Sequence, residues 1–179
     1  MEILLVLDHN TFGDEYIDVA KSCAPYCSAI WYRSKELTLA DTYERAARLR
    51  EALPDSRLIL SEHADAAYML GYEGVHLNAA SLPVEAVKSA FGSLIVGYSA
   101  HGADECCQGA DYYTLSPVFN THKPYDVSIL GAIPAPCPEV FALGGINTEN
   151  VAELKGLGYR GVAGISFYRE IKDIVLQSR

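Results

Sequence analysis

The chain has 179 residues, of which 50% are hydrophobic and 21% charged, a balance typical of a folded globular protein with a sizeable core. Its formal net charge of -9 argues against a nucleic-acid-binding protein, because nucleic acid backbones are bound by clustered Lys and Arg. No apolar stretch is long enough to span a bilayer, and the start MEILLVLDHN lacks the basic segment of a signal peptide, so we expect no membrane partner and a cytoplasmic protein.

Short apolar runs alternate with helical patterns along the chain. The apolar runs predict strands at 3–7, 29–32, 57–60, 74–77, 94–98, 111–115, 140–143 and 161–165. Helices are predicted at 14–23, at 38–52 with Thr38 as the N-cap, at 64–70, from about Ser81 or Pro83, at 103–108, from Asn147 and after Ser166.

The predicted strands are apolar on both faces, which is typical of a parallel sheet covered by helices. Eight such strand–helix units favour a closed (β/α)8 TIM barrel over an open sheet, as one compact domain over residues 1–179. The length is small for this fold, which typically takes about 250 residues, so the connections must be short. No GxGxxG follows the first strand, which weakens a dinucleotide-binding alternative.

Residues 118–138 interrupt this alternation. The segment contains Pro124, Pro134, Pro136 and Pro138, and its one helical candidate is 127–132. Long irregular segments in compact domains are often functional loops. The five cysteines form no paired CxxC motifs, so we expect reduced, buried thiols and no structural metal site.

The last two units contain glycine- or serine-bearing turns directly ahead of helical patterns. These turns contain Gly144 and Gly145 after the seventh strand, and Ile165 and Ser166 after the eighth. Free backbone N–H groups at such positions suit a phosphate, and this end of a β/α barrel often binds one. We therefore predict an anion site formed by these two turns.

Polar residues directly after the other strands are expected to face the same mouth of the barrel. They are Asp8, His9, Arg33, Lys35, Ser61, Glu62, His63, Asn78, Ser99, His101, Thr121 and Lys123. Cations among hydroxyls and free amides suit a phosphorylated ligand.

Several of these residues also have a purely structural interpretation. Arg33 and Lys35 could form a solvated edge, and Glu62 and His101 could lie at helix N-termini without further role. His76 lies within an apolar strand and is predicted to be a core histidine with satisfied hydrogen bonds. Of the adjacent Tyr112 and Tyr113, at least one should pack into the barrel or the helix layer.

The motifs together resemble one family, thiamine-phosphate synthase with its TenI-type relatives. They are Tyr32-Arg33-Ser34-Lys35, Gly74-Val75-His76-Leu77, Gly97-Tyr98-Ser99-Ala100-His101, Ala110-Asp111-Tyr112, Ser116-Pro117-Val118-Phe119 with Thr121 and Lys123, Gly144-Gly145-Ile146, and Gly161-Val162-Ala163-Gly164-Ile165-Ser166. The resemblance implies a (β/α)8 barrel that binds a phosphorylated thiazole. In the synthase branch it also binds a pyrimidine diphosphate and joins the two, with loss of pyrophosphate, assisted by magnesium.

The resemblance also implies residue roles. Arg33 and Lys35 would hold the pyrophosphate and Ser99 would assist them. Thr121 and Lys123 would contact the phosphorylated ligands, and the turns containing Gly144, Gly145, Ile165 and Ser166 would hold the thiazole phosphate. Apart from the resemblance, His101 or His122 could supply a catalytic base, although no spacing in the sequence requires it.

The chain departs from the synthase pattern at several positions. Trp31 stands where that pattern has a glutamine, and Ser61 and Glu62 replace an Asn-Asp pair. Ser81 replaces a second aspartate, which leaves Glu62 as the metal candidate and magnesium as an open question. TenI-type relatives lack the aspartates too, and some isomerise a thiazole carboxylate phosphate with a histidine that here reads Pro117.

The departures favour the TenI-like branch, possibly a thiazole tautomerase. An active synthase, a non-catalytic phosphate-binding or regulatory protein and another phosphate-binding barrel enzyme stay open as alternatives. The residues do not distinguish a monomer from a homo-oligomer.

Overall fold

Eight parallel strands form a closed barrel in which each strand pairs with the next along the chain and the eighth pairs with the first. The structure is a computed structural model and describes residues 1–107, 109–121 and 128–178. The strands are β1 Glu2–Asp8, β2 Ala29–Arg33, β3 Leu58–Ser61, β4 Gly74–Leu77, β5 Ile95–Ala100, β6 Tyr112–Leu115, β7 Val140–Leu143 and β8 Gly161–Gly164. The predicted (β/α)8 barrel is confirmed.

The helical layer is thin. Its α-helices are α1 His9–Phe12, α2 Tyr16–Cys23, α3 Leu39–Ala52, α4 Ala64–Met69, α5 Val84–Ala90 and α6 Ile171–Gln177. Single 3₁₀ turns supplement them at Gly13–Glu15, Ala24–Tyr26, Ala103–Cys107, Val151–Leu154 and Ser166–Glu170. These short connections explain how the chain fits eight units into fewer residues than the fold usually takes.

The longest helix, α3, begins where the sequence predicts. The hydroxyl oxygen of Thr38 accepts a hydrogen bond from the backbone N–H of Asp41 at 3.2 Å, and the same hydroxyl donates to the Asp41 carboxylate at 2.6 Å. This reciprocal arrangement satisfies one of the free amides of the first turn. The helix buries Ala46 and Leu49 completely against the barrel.

Four helix predictions were wrong in detail. The predicted helix 14–23 is divided into a 3₁₀ turn and α2. The candidate at 127–132 is not helical over 128–132, because the amides of Leu130 and Gly131 donate to the carbonyls of Pro117 and Val118 instead. The helix expected from Asn147 is only the 3₁₀ turn Val151–Leu154, and the one predicted at 103–108 is also 3₁₀ over its described residues, Ala103–Cys107.

The core has two layers, one inside the barrel and one between the barrel and the helices. The interior is filled by Leu4, Val6, Trp31, Ile59, Tyr112, Phe141 and Ala163. Neighbouring residues on each strand point outward, as the twofold alternation of side chains requires. Tyr112 therefore lies inside the barrel and Tyr113 in the outer layer, which confirms the prediction for this pair.

The barrel closes where β1 meets β8. Glu2 pairs with Gly161, and a side chain at position 161 would collide with the carbonyl of Glu2. Arg160, just before β8, bonds the carboxylates of Glu2 at 3.1 Å and Glu139 at 2.6 Å. This ion-pair cluster lies at the N-terminal ends of the strands, opposite the mouth, where it can only support the fold.

The cysteines described here pack as small apolar side chains. Cys23 and Cys106 are buried, Cys27 and Cys137 are half-buried, and none of the four forms a disulfide. Burial raises the pKa of the Cys27 thiol to about 12, so it stays protonated. Within the described residues, no helix is both long and apolar enough to cross a membrane.

Candidate functional site

The first polar pair at the mouth joins the ends of β1 and β2. Asp8 and Arg33 are register partners, and the guanidinium Nη1 donates to the Asp8 carboxylate at 2.5 Å. Asp8 is only 5% exposed and also accepts the backbone N–H of Thr11 at 3.2 Å and its hydroxyl at 3.0 Å. Arg33 is thus oriented by a nearly buried carboxylate, and its remaining N–H groups have no acceptor among the described residues.

Lys35 lies in the loop that follows β2. Its neighbour Ser34 is buried and shares a 2.9 Å hydrogen bond with the hydroxyl of Thr42 on α3, which anchors the loop. Lys35 itself is exposed and makes no hydrogen bond or ion pair within the described part of the chain. The structure therefore holds the backbone at this position and leaves the ammonium group available.

The turn after β7 is glycine-specific. Gly144 and Gly145 adopt φ of 97° and 69°, the left-handed region that favours glycine. A Cβ at Gly145 would collide with the carbonyl oxygen of Asn120 and lie 2.8 Å from the carbonyl carbon of Phe119. The turn is thus pressed against the segment that follows β6, where the amide of Phe119 donates to the Gly144 carbonyl at 3.0 Å.

The turns after β7 and β8 are neighbours. Leu143 pairs with Ala163, and paired strands lie about 5 Å apart, so the residues that follow these two strands emerge side by side. Neither the amide of Gly145 nor that of Ser166 donates a hydrogen bond to any described residue. Ser166 begins the 3₁₀ turn Ser166–Glu170, whose first N–H groups have no intrahelical acceptor.

The other residues predicted for the phosphate site lie around these turns. Thr121 is half-buried, and its methyl carbon is 3.3 Å from the position of a Cβ on Gly144. Ile165 is half-buried and packs on the core, directly before the exposed Ser166. Lys123 and His122 lie outside the described residues.

A polar cluster lies just below the mouth, around His76. Its Nδ1 is 2.9 Å from the Tyr112 hydroxyl, and its Nε2 is 3.0 Å from the Ser99 hydroxyl and 3.3 Å from that of Thr114. The ring also stacks on Trp31 with 3.9 Å between centroids. Burial, with a smaller contribution from Arg33, lowers the pKa of His76 to about 3, so the imidazole is neutral. The predicted core role of His76 is confirmed.

His101 is exposed in the loop after β5. Its backbone N–H donates to the Glu105 carboxylate at 3.1 Å, and its Nδ1 lies 3.0 Å from the carbonyl oxygen of Ser116. These contacts fasten the loop ahead of the 3₁₀ turn Ala103–Cys107. They fit the structural interpretation, and a catalytic role for His101 stays a prediction.

The residues around Glu62 are a poor match for magnesium. Glu62 adopts φ of 64°, and its carboxylate accepts the Asn78 side-chain amide at 2.7 Å. Ser81 caps the same loop by accepting the Asn78 backbone N–H at 3.0 Å. Magnesium prefers several charged oxygens in octahedral array. Within the described ranges no three His, Cys, Asp or Glu side chains are grouped to hold a metal.

A cleft of about 660 Å³ opens beside the loop after β4 and is lined by Asn78, Ser81, Leu82 and Tyr98 among others. It does not include Gly145 or Ser166. The clustering of free donors, and not the volume of this cleft, defines the candidate site.

A family model described as thiamine monophosphate synthase matches residues 3–167. The chain belongs to the thiamine monophosphate synthase family. This match confirms the family that the sequence motifs resemble, a family of thiamine biosynthesis.

Individual relatives of this family cover most of the chain. The thiamine-phosphate synthase of Caldicellulosiruptor bescii is 33% identical over 152 residues, which are 76% of this chain and 69% of that protein. The thiamine-phosphate synthase of Ruminiclostridium cellulolyticum is 28% identical over 187 residues, which cover 96% and 89% of the two chains. The solved thiamine phosphate pyrophosphorylase from Pyrococcus furiosus shares the fold with a TM-score of 0.82, at 24% identity over 99% of this chain and 96% of that one.

Two features of this family member were missed by the sequence analysis. The first is the Asp8–Arg33 pair, and the second is the contact of His76 with Tyr112, Ser99 and Thr114. Asp8, Arg33, His76 and Ser99 all fall on inward-facing positions, but both faces of each strand are apolar, so no local signal in the sequence identifies the inward face.

Proposed function

We propose that the barrel mouth binds a phosphorylated thiazole and that the chain acts in thiamine biosynthesis as a TenI-like member of its family. The observation that carries this proposal is the pair of neighbouring turns whose Gly145 and Ser166 amides have no acceptor among the described residues. Backbone N–H groups of this kind are the usual ligands of a phosphate group at strand–helix turns.

The charges around the mouth support an anionic ligand. Arg33 ends β2 and Lys35 lies in the loop that follows it, and of the two only Arg33 has a counter-charge, Asp8, within the described residues. The chain as a whole is acidic, so these cations are a local feature of the mouth. Charged donors bind phosphate oxygens with shorter and stronger hydrogen bonds than neutral ones.

The TenI-like branch is favoured by the residues near Glu62 and Trp31. The indole N–H of Trp31 donates to the Ser61 hydroxyl at 2.7 Å, so two positions that depart from the synthase pattern bond each other inside the barrel. The oxygen ligands around Glu62 fit magnesium poorly.

The second candidate function is an active synthase, which is favoured because the relatives in C. bescii and R. cellulolyticum are named thiamine-phosphate synthases. The third candidate function is a protein that binds a phosphorylated ligand without catalysing a reaction.

One incubation separates these candidates. The protein is mixed with thiazole phosphate and pyrimidine diphosphate, with and without magnesium, and thiamine phosphate and pyrophosphate are measured. Saturable thiazole-phosphate binding without either product is the expected result. Isomerisation of a thiazole carboxylate phosphate would then distinguish a tautomerase from a binding protein. Product formation would establish the synthase, and no binding of any phosphorylated thiazole would contradict the proposal.

Replacing Arg33 or Lys35 with alanine should weaken thiazole-phosphate binding by about 1.5–3 kcal/mol, because each change removes charged hydrogen bonds to the anion. Isothermal calorimetry measures the effect. Lys88→Ala is the matched control, since Lys88 pairs with Asp111 at the opposite end of the barrel. Equal affinity of the wild-type and mouth variants would remove these two residues from the site.

A further inference from the structure

The cluster around His76 has three hydroxyl groups on one neutral imidazole. Tyr112 faces Nδ1, while Ser99 and Thr114 face Nε2. A neutral imidazole donates from one nitrogen and accepts at the other. The direction of every hydrogen bond in the cluster therefore depends on which nitrogen carries the proton.

Tyr112 favours one of the two arrangements. It is 5% exposed, burial raises the pKa of its hydroxyl, and that hydroxyl has no partner other than Nδ1 of His76 among the described residues. If Nδ1 carried the proton, the Tyr112 hydroxyl hydrogen would have no described acceptor, a rare condition for a buried polar group. If Tyr112 donates to Nδ1, the proton of His76 lies on Nε2, and Ser99 and Thr114 share it as acceptors.

We propose that Tyr112 and His76 are positioning residues that make the Ser99 hydroxyl an acceptor toward the barrel interior and so leave its hydrogen free to donate to an anion at the mouth. This inference rests on the proposed function in one respect only, the anion that Ser99 would meet. Ser99 is half-buried near the end of β5 on an inward-facing position, as Arg33 is on β2.

The opposite arrangement would have a different consequence. With the proton on Nδ1, Nε2 would accept a hydrogen bond from Ser99 or Thr114, and a Ser99 hydroxyl that donates to it would turn its lone pairs toward the mouth. The Ser99 oxygen would then be a hydrogen-bond acceptor facing the same anion that Arg33 and the free amides bind as donors. The buried Tyr112–His76 pair thus sets whether Ser99 attracts or repels a phosphate oxygen.

The tautomer can be observed directly. Long-range ¹H–¹⁵N correlation spectra of protein with ¹⁵N-labelled histidine distinguish protonated Nε2 from protonated Nδ1, and His76→Gln assigns the signal. We expect the Nε2–H form for His76. Tyr112→Phe removes the donor to Nδ1 and should shift the population toward Nδ1–H. Tyr113→Phe is the control, because its hydroxyl accepts the Ala110 amide in the outer layer and does not contact His76.

Binding provides the second readout, with inorganic pyrophosphate as the probe. Ser99→Ala and Tyr112→Phe should each weaken binding roughly five- to tenfold, and the double variant no further, because both act through one hydroxyl. Tyr113→Phe should bind like wild type. Additive losses, or an Nδ1–H signal in wild type, would overturn the proposal.

The two readouts separate the proposals from each other. Failure of the wild-type protein to bind any phosphorylated probe contradicts the proposed function, while the NMR signal still decides the tautomer. Normal binding with the wrong tautomer overturns only the positioning role. A melting-temperature comparison of the two Tyr→Phe variants guards against misfolding as the cause of lost binding.

Discussion

Replacing Gly145 with alanine is expected to reduce the free energy of unfolding by about 2–4 kcal/mol and thiazole-phosphate affinity by at least roughly tenfold. The native φ of 69° disfavours any residue with a Cβ, and that Cβ would collide with the Asn120 carbonyl oxygen. The backbone must shift to relieve the collision. Since the Gly145 amide is one of the proposed phosphate donors, the same shift moves it away from the ligand.

The Gly156→Ala variant separates the cost of a positive φ from the cost of the Cβ collision that is expected at position 145. Gly156 has a similar φ of 76°, but nothing lies within 4 Å of its Cβ position. It should lose only about 1 kcal/mol of stability and retain normal binding. Chemical denaturation and calorimetry on both variants measure the two effects. Normal ligand affinity in Gly145→Ala would show that this turn does not hold the phosphate.

Lowering the pH from 7 to 4 is expected to cost the protein about 3 kcal/mol of stability through His76 alone. Burial lowers its pKa to about 3 in the folded state, whereas the unfolded chain has a value of about 6.5. Between these values the unfolded chain binds a proton that the native protein does not. Stability is therefore fully present above about pH 6.5 and is lost as the pH falls toward 3.

Denaturant unfolding at several pH values measures this loss. His76→Gln should be less stable than wild type at pH 7 and lose less stability on acidification. His101→Gln, at an exposed position outside the cluster, is the control for replacing a histidine. Parallel curves for wild type and His76→Gln would mean that the pKa of His76 is the same in the folded and the unfolded chain, which would contradict the desolvated imidazole.

The strands were predictable because a parallel barrel buries both faces of each strand. Because both faces of each strand are apolar, however, the sequence does not show which residues face the barrel interior. Trp31 and Tyr32 are adjacent, apolar and both buried, yet Trp31 lies inside the barrel and Tyr32 in the outer layer. The Asp8–Arg33 pair depends on the register between β1 and β2, which a single sequence does not specify.

The helices were less predictable, because tertiary contacts overrule local propensity. After β7, Gly156 and Gly158 adopt φ of 76° and 84° soon after the 3₁₀ turn Val151–Leu154 and prevent a longer helix. The anion site was predictable in outline from the glycines after β7 and the serine after β8. The closeness of Asn120 to Gly145 was not, because it comes from a loop without a local pattern.

The pairing of Glu2 with Gly161 joins strands from opposite ends of the chain. A nascent or truncated chain that ends before β8 leaves β1 and β7 as open edges, each with unpaired peptide groups that can recruit another chain. We therefore expect such fragments to self-associate instead of forming a smaller barrel. Contacts between residues so far apart in sequence also slow folding. The eight-stranded sheet must therefore stay soluble until β1 and β8 pair and close the barrel.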